Sequence, residues 1–273
     1  VVLSDIHLGT YGCHAKELVA YLKSVSPKVL ILNGDVIDGW AFSKRYFPNS
    51  HMAVLSEFFK MMKKGTQVIY ITGNHDEFLR KYTDLSMGNL FLTDKYLLEI
   101  EGKKHWIFHG DVFDHTTSGG AKFIAKLGGM GYDWLILVNR AINWVLEKFG
   151  KGKVSLSKKV KNSVKKAVKF IGDFEKKATE IAINNHYDYV ICGHIHQPAD
   201  KIWTTEKGSV HYLNSGDWIE NLSWLEFDKG NWSLKFFNEK DFEKPIIEKN
   251  DISVNMEELI HPKVFAEFAT QKV

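Results

Sequence analysis

The chain has 273 residues, of which 44% are hydrophobic and 25% charged, a composition typical of a globular protein with a substantial core. Its net charge of +3 is too small to indicate nucleic acid by itself, and no nucleic-acid-binding motif accompanies its lysines, so we expect no nucleic-acid partner. Asn139, Arg140 and Asn143 interrupt the longest apolar stretch, which excludes a transmembrane span there. Two cysteines outside any CxxC motif fit a reducing compartment, and we expect a cytoplasmic location.

Five short apolar runs each end in polar residues, as buried parallel strands do when they carry functional side chains at their C-terminal ends. The runs span 1–3, 29–32, 68–71, 106–108 and 189–192. The polar residues after them are Asp5, His7, Asp35, Asn74, His109, His194 and His196. Five such strand ends are hard to explain by packing. We therefore predict that they form one metal site.

Residues 1 to about 110 alternate apolar runs with helical patterns, which predicts a largely parallel α/β sheet. A helix over 51–64 should end at Gly65 and face the core with Val54, Leu55, Phe58, Phe59 and Met62. Later in the chain, 208–212 and 222–236 alternate in strand fashion. This alternation predicts a second, antiparallel sheet.

Residues 112–187 contain no convincing strand and predict helices inserted between the fourth and fifth motifs. Apolar residues at steps of three and four predict one amphipathic helix, with a stripe of Val160, Val164, Val168, Ile171, Phe174, Ala178 and Ile181. Between Lys148 and Lys177 there are eleven lysines and two acidic residues. A solvated face is the usual explanation. Peripheral contact with an anionic membrane surface competes with it, because the neighbouring segment 132–149 is aromatic and apolar.

The loop that follows Asp35 is aromatic and basic, and it is either a plain surface loop or a rim that contacts substrate. Trp40, Arg45 and Arg80 are the candidate substrate-binding residues. We expect one domain over 1–238, with the helical insertion as its cap. The tail over 239–273 has a possible short helix around Met256 to Ile260 and no assigned function.

The candidate ligands suggest a dinuclear centre. Asp5 and His7 are two residues apart, so in an extended strand their side chains face the same way and can share a cation. The two oxygens of Asp35 can bridge two cations. Imidazole and oxygen ligands without thiolate suit Mn²⁺ first, then Fe or Zn²⁺. Two ions roughly 3.5 to 4 Å apart would activate hydroxide for phosphoester attack, with His75 near the phosphate.

The motif order DxH, GDxxD, GNHD, HGD and GHxH resembles the calcineurin-like metallophosphoesterase superfamily over residues 1 to about 220. The resemblance implies an α/β fold, a two-sheet sandwich flanked by helices, with two metal ions at the strand ends. It implies one ion on Asp5, His7, Asp35 and His196, and another on Asp35, Asn74, His109 and His194. It also implies that His75 contacts phosphate and that Asp38 orients His75.

Within the superfamily, the chain most resembles the UDP-2,3-diacylglucosamine diphosphatase family of lipid A synthesis. The matching segments are 4–9, 34–40, 73–78, 109–111 and 193–198. Members hydrolyse a pyrophosphate to UMP and an acylated sugar 1-phosphate, which implies a lipid-linked substrate at the inner face of a membrane. The well-characterised branch has Arg where this chain has His75, so the chain resembles a sister branch.

Two other functions stay open. The substrate could be a soluble nucleotide or another phosphodiester, with the insertion serving only as a lid. Alternatively, the chain could be a metal-free scaffold or binding module, although every ligand position of the motif set is retained. The oligomeric state is not determined by the sequence.

Overall fold

A computed structural model describes residues 1–40, 46–114 and 156–242. Its strands are β1 (Val2–Leu3), β2 (Val29–Asn33), β3 (Gln67–Ile71), β4 (Ser86–Met87), β5 (Leu90–Thr93), β6 (Lys95–Ile100), β7 (Lys103–Phe108), β8 (Tyr189–Cys192), β9 (Ala199–Thr205), β10 (Gly208–Asn214), β11 (Ser223–Asp228) and β12 (Asn231–Phe236). Arg45, the aromatic segment 132–149 and nearly all of the tail lie outside the described residues.

The strands form two mixed sheets. The seven-stranded sheet has the order β12-β11-β1-β2-β3-β5-β4, and the five-stranded sheet has the order β6-β7-β8-β10-β9. Neighbouring strands from β1 to β5 in the first sheet are parallel, as are β7, β8 and β10 in the second. The outer strands of both sheets pair antiparallel. The predicted two-sheet α/β architecture is confirmed.

The predicted separate antiparallel sheet after the fifth motif is wrong. β10 pairs in parallel with β8 in the five-stranded sheet, whereas β11 pairs antiparallel with β1 in the other sheet. Alternation of apolar and polar residues predicts half-buried strands but does not specify their partners. The strands β4, β5, β6 and β9 were not predicted.

Helices α1 (Ala15–Ser24) and α2 (Asn49–Lys63) pack on the seven-stranded sheet through one apolar cluster. In α2, Val54 and Phe58 are buried as predicted, but the predicted core residue Phe59 is 60% exposed. Met61 is buried, whereas Met62 is only partly buried. Gly65 follows the helix with a φ of +100°, as its predicted role at the helix end requires.

Helix α3 (Leu156–Asn184) confirms a helix in the later part of the predicted insertion. Phe174 and Ala178 are buried against the five-stranded sheet, together with Phe170 and Ala182. The predicted stripe is wrong at Val168 and Ile181, which are exposed, because the buried line follows steps of four. None of the described helices is both long and apolar enough to span a membrane.

A core between the sheets positions the five motifs. Ile31, Ile69, Ile107, Ile191 and Leu213 belong to a buried cluster that contains residues of both sheets. Because parallel strands end at the same edge, this packing brings the loops after β1, β2 and β3 beside the loops after β7 and β8. Cys192 is fully buried in the core under α3, as a small hydrophobic residue is expected to be.

Candidate metal centre

The structure brings the predicted carboxylates and imidazoles together in two groups of three. In Asp5, His7 and His196, and again in Asp35, His109 and His194, one ligand-type atom of each residue lies within 4.8 Å of the others. His196 Nε2 lies 3.2 Å from Asp5 Oδ1, and His109 Nε2 lies 3.2 Å from Asp35 Oδ2. His7, Asp35 and His75 form a third, overlapping group.

Five of these residues have left-handed backbone conformations. The φ angles are 51° at Asp5, 54° at His7, 53° at Asp35, 69° at His194 and 51° at His196. The expectation that Asp5 and His7 lie in an extended strand is therefore wrong, since β1 ends at Leu3. Tight turns, rather than the alternation of a strand, bring the two side chains together. Such conformations are unfavourable for residues with a Cβ and concentrate at functional sites.

Each of two carboxylates uses one oxygen for the backbone and keeps the other for the centre of the site. Asp5 Oδ2 accepts a hydrogen bond from His194 N at 3.0 Å, and Asp35 Oδ1 accepts one from His75 N at 2.8 Å. Asp35 Oδ2 lies near both His7 Nε2, at 3.9 Å, and His109 Nε2. One oxygen of Asp35, rather than two, thus faces both groups.

The turns that hold these carboxylates leave little room for side chains. A Cβ at Gly193 would lie 2.6 Å from Asp5 Oδ2, and a Cβ at Gly73 would collide with the Asp35 carboxylate. The glycines of the GNHD and GHxH motifs therefore allow backbone to approach carboxylate closely.

The imidazoles are oriented from outside the site. His7 Nδ1 lies 3.2 Å from Asp38 Oδ2, and His109 Nδ1 donates to Asn33 O at 2.9 Å. His194 Nε2 lies 2.8 Å from Asp114 Oδ1. Acceptors of this kind fix the tautomer and the ring angle of metal-binding histidines. Sequence reasoning did not identify Asn33, at the end of β2, or Asp114, since each contacts an imidazole from a distant part of the chain.

His75 lies at the mouth of the site. Its Nδ1 lies 3.0 Å from Asp38 Oδ2, and its ring packs 4.1 Å from the ring of Trp40, which is 59% exposed. Asp38 Oδ1 in turn accepts a hydrogen bond from Trp40 N. Burial alone would lower the pKa of His75, but Asp38 and Asp35 outweigh burial and raise it. A raised pKa favours a protonated, hydrogen-bond-donating ring.

Asp76, the last residue of the GNHD motif, is a functional neighbour that sequence reasoning left without a role. It is fully buried and accepts hydrogen bonds from Val36 N at 3.0 Å and Tyr70 Oη at 2.7 Å. Asp76 also accepts a hydrogen bond from Gly73 N. Asp76 therefore ties the loop after β2 to the loop after β3, and its place in the motif was the available signal.

Arg80 is engaged in a salt bridge with Asp111 of the HGD motif. Its Nε donates to Thr72 Oγ1 at 3.4 Å and lies 3.7 Å from Asp94 Oδ1. These contacts tie the turn after GNHD to the loop after β7. The proposed substrate contacts of Arg80 and of Arg45 stay predictions.

Several buried ligand-type atoms fit bound cations. Asp5 Oδ1, Asn74 Oδ1 and His109 Nε2 are buried and make no hydrogen bond within the described residues. A buried polar atom without a partner is unfavourable by about 1–3 kcal/mol, so Asn74 Oδ1 calls for one, whereas Asp5 Oδ1 and His109 Nε2 each have an ion-pair neighbour at 3.2 Å. A set of imidazole nitrogens, carboxylate oxygens and an amide oxygen matches divalent transition metals.

The charges of the site also favour cations. Burial alone would raise the pKa of Asp5, but His196 and His109 lower it to about 2. Burial alone would lower the pKa of His196, but Asp5 raises it to about 9. Protons on the imidazoles thus offset the buried carboxylates, and metal binding would displace these protons.

Comparison with known families agrees with this geometry. Residues 1–198 match the family profile described as calcineurin-like phosphoesterase. The chain belongs to this family. It is a metal-dependent phosphohydrolase.

Two curated relatives cover most of the chain. The UDP-2,3-diacylglucosamine hydrolase of Aliivibrio fischeri is 24% identical over 236 residues, which are 85% of this chain and 95% of the relative. The protein of the same name from Blochmanniella pennsylvanica is 24% identical over 249 residues, covering 86% of this chain and 94% of the relative.

A phosphoesterase structure from E. coli covers 87% of this chain and 98% of its own, with 12% identity and a TM-score of 0.40.

Proposed function

We propose that this phosphohydrolase cleaves the pyrophosphate of a nucleotide-linked, acylated sugar such as UDP-2,3-diacylglucosamine, releasing UMP and an acylated sugar 1-phosphate. The observation that carries the hydrolytic part is the pair of ligand groups that meet at Asp35 Oδ2. The names of the two curated relatives support the substrate class. The apolar rim residue Trp40 beside His75 suits a substrate with a non-polar part.

Two divalent ions, Mn²⁺ in the first place, are part of this proposal. Asp5, His7, Asp35 and His196 would hold one ion, and Asp35, Asn74, His109 and His194 the other. Bound there, such ions supply Lewis-acid activation of water and charge stabilisation at phosphorus. The deep burial of Asp5, Asp35 and His109 limits the competition of bulk water for these ligand atoms.

His75 is assigned to the phosphate. Its backbone N–H is fixed by Asp35 Oδ1, and its Nδ1 faces Asp38, so the other ring nitrogen is left to donate toward the substrate. Because the pKa of His75 is raised, the ring carries a proton for a non-bridging oxygen or for the leaving oxygen. Asp38 holds both His7 and His75, which links the ligand set to the phosphate-facing residue.

The proposal also includes one domain over 1–238, with a helical cap, and peripheral contact with the inner face of a membrane. The exposed lysines Lys165, Lys169 and Lys176 on α3 support contact with an anionic surface. A solvated lysine face would show the same exposure. The substrate assay therefore includes membranes.

The test is UMP release from UDP-2,3-diacylglucosamine by the Mn²⁺-loaded chain, with UDP-glucose and a simple phosphodiester as comparison substrates. Each is assayed with and without detergent or anionic vesicles, and Asp35→Ala serves as the inactive control. We expect the acylated substrate to be preferred and vesicles to increase its turnover. Efficient cleavage of the phosphodiester without UMP release would instead favour a soluble substrate. Less than one equivalent of metal, without rescue by Mn²⁺, would favour a metal-free binding module.

A further inference from the structure

Asp114 lies outside the five motifs but contacts His194 of the site. It directly follows a short 3₁₀ helix, Asp111–Phe113, which begins at the last residue of the HGD motif. Its Oδ1 lies 2.8 Å from Nε2 of His194, whose side chain is only 7% exposed. Asp111, the other acid of this turn, is occupied by Arg80. Asp114 is thus the carboxylate of the turn that faces the ligand set.

The contact gives His194 an orientation different from two other imidazoles of the site. His7 and His109 each use Nδ1 for an outer acceptor, which leaves Nε2 to face the carboxylates. His194 uses Nε2 for the outer acceptor. With a proton on Nε2, the lone pair of the neutral ring lies on Nδ1.

Neighbouring groups limit the ring of His194 but do not select its tautomer. The rings of His109 and Phe174 lie at centroid distances of 5.1 Å and 6.2 Å from it. Its backbone N–H is bound by Asp5 Oδ2, which places the residue without defining which ring nitrogen carries the proton. A carboxylate at Nε2 does define it, because a carboxylate can only accept.

We propose that Asp114 is a positioning residue for the second ion, holding His194 in the tautomer whose free nitrogen is Nδ1. This inference rests on the proposed function, since it assumes that His194 binds a cation with Asp35 and His109. The group that could hold this ion consists of Asp35, His109 and His194 and does not include Asp114. Asp114 therefore acts through the imidazole of His194. Outer acceptors of this kind typically change metal affinity by about 10- to 100-fold.

The experiment compares Asp114→Ala and Asp114→Asn with wild type in the full chain. Asp200→Asn is the matched control, because Asp200 Oδ1 pairs with Nε2 of His211 at 2.5 Å on β9 and β10, away from the ligand groups. Metal-stripped proteins are titrated with Mn²⁺ by calorimetry. The tautomer of His194 is read in the metal-free proteins from imidazole ¹⁵N NMR, and thermal unfolding of each variant is measured in parallel.

We expect wild type and Asp200→Asn to bind two ions and to show a proton on His194 Nε2. Asp114→Ala should weaken one ion about 10- to 100-fold, spare the other, and populate the second tautomer. The Mn²⁺ affinity of Asp114→Asn should fall between those of wild type and Asp114→Ala, since the Asn amide oxygen still accepts a hydrogen bond from Nε2–H of His194. Unchanged affinities in a folded Asp114→Ala, or equal weakening of both ions together with a lower Tm, would overturn the inference alone. A wild-type chain that binds no Mn²⁺ would overturn the proposed function as well.

Discussion

Asp35 is the residue on which both candidate ion sites depend. Its Oδ1 is fixed by the backbone of His75, and its Oδ2 faces His7 and His109. Its backbone is left-handed, as are those of four other proposed ligands, so the local chain is held in a conformation that it does not favour alone. The surrounding hydrogen bonds, including His7 N to Asp35 O at 2.9 Å, stabilise this arrangement.

Asp35→Ala should abolish turnover and reduce bound metal to less than one equivalent, because both ions lose a ligand. Elemental analysis of the purified variant after Mn²⁺ loading measures this. Asp84→Ala is the matched control, since Asp84 is exposed and also left-handed, with a φ of 69°. Two retained equivalents in Asp35→Ala would show that Asp35 does not bridge the sites.

His75→Ala should keep both ions and slow turnover by about 10²- to 10⁴-fold, the usual range for a lost proton donor. Measured kcat and metal content separate this role from ligation. The distinction matters because His75 also lies within ligand distance of His7 and Asp35. Loss of one ion in His75→Ala would reassign His75 as a ligand.

The metal-free protein should be most stable between about pH 4 and pH 6.5. The pKa of Asp5 is lowered from 3.8 to about 2, so its stabilisation is present above 3.8 and lost as the pH falls through 2. The pKa of His196 is raised from 6.5 to about 9, so its stabilisation is present below 6.5 and lost as the pH rises through 9.

Thermal unfolding in EDTA, measured from about pH 2 to about pH 9, tests this prediction. His196→Asn should make the fall of the Tm at alkaline pH less steep. A Tm that does not fall between pH 6.5 and 9 would contradict the assigned ion pairs.

At the scale of elements, α3 packs against the turn that contains the HGD motif. Phe174 of α3 is fully buried and packs against Phe113 at a centroid distance of 5.5 Å. Gly110 has a φ of +125°, and a Cβ there would lie 2.6 Å from the Phe174 ring and 3.3 Å from His194 Cβ. The later part of the insertion is therefore tied to the same turn that carries Asp111 and Asp114.

Gly110→Ala should destabilise the fold by about 2 to 4 kcal/mol, through backbone strain and overpacking against Phe174. Gly102→Ala is the matched control, because Gly102 has a φ of +74° but a Cβ added there would meet no other atom within 4 Å. Gly102→Ala should lower the free energy of unfolding by about 1 to 2 kcal/mol through backbone strain alone. Urea unfolding measures both, and equal losses would show that Gly110 does not contact α3 closely.

At the scale of the whole molecule, the site joins the two sheets. The ligands after β1, β2 and β3 belong to one sheet, and those after β7 and β8 to the other. The shared apolar core aligns the sheets, and hydrogen bonds such as His194 N to Asp5 Oδ2 connect their loops. Ions bound there would add a further link across the interface.

Metal removal should therefore lower the Tm of the entire described domain. Free Mn²⁺ at 100 times its Kd would stabilise the folded chain by about 2.7 kcal/mol for each ion bound. Calorimetry with Mn²⁺ and with EDTA measures the shift, and Asp35→Ala should show almost none. Equal Tm values for wild type under both conditions would contradict binding to the folded state.

The α/β class, the five strand ends, and the carboxylates and imidazoles that lie together there could be predicted from the sequence. Apolar runs followed by Asp, Asn and His are local signals, and parallel strands place their ends at one edge. The GNHD and GHxH motifs can be noticed as patterns without tertiary information, and the family assignment agrees with them.

The sheet that each late strand joins and the contacts that hold the candidate ligands depend on the tertiary structure. β10 and β11 read alike in sequence but pair with β8 and β1, because strand partners are selected by packing across the whole domain. Asn33, at the end of β2, and Asp114, after the HGD motif, orient imidazoles that lie far from them in sequence. The left-handed turns at Asp5 and His7 are held by other long-range hydrogen bonds, from Asp5 N to Gly34 O at 3.1 Å and from His7 N to Asp35 O at 2.9 Å, which no local propensity predicts.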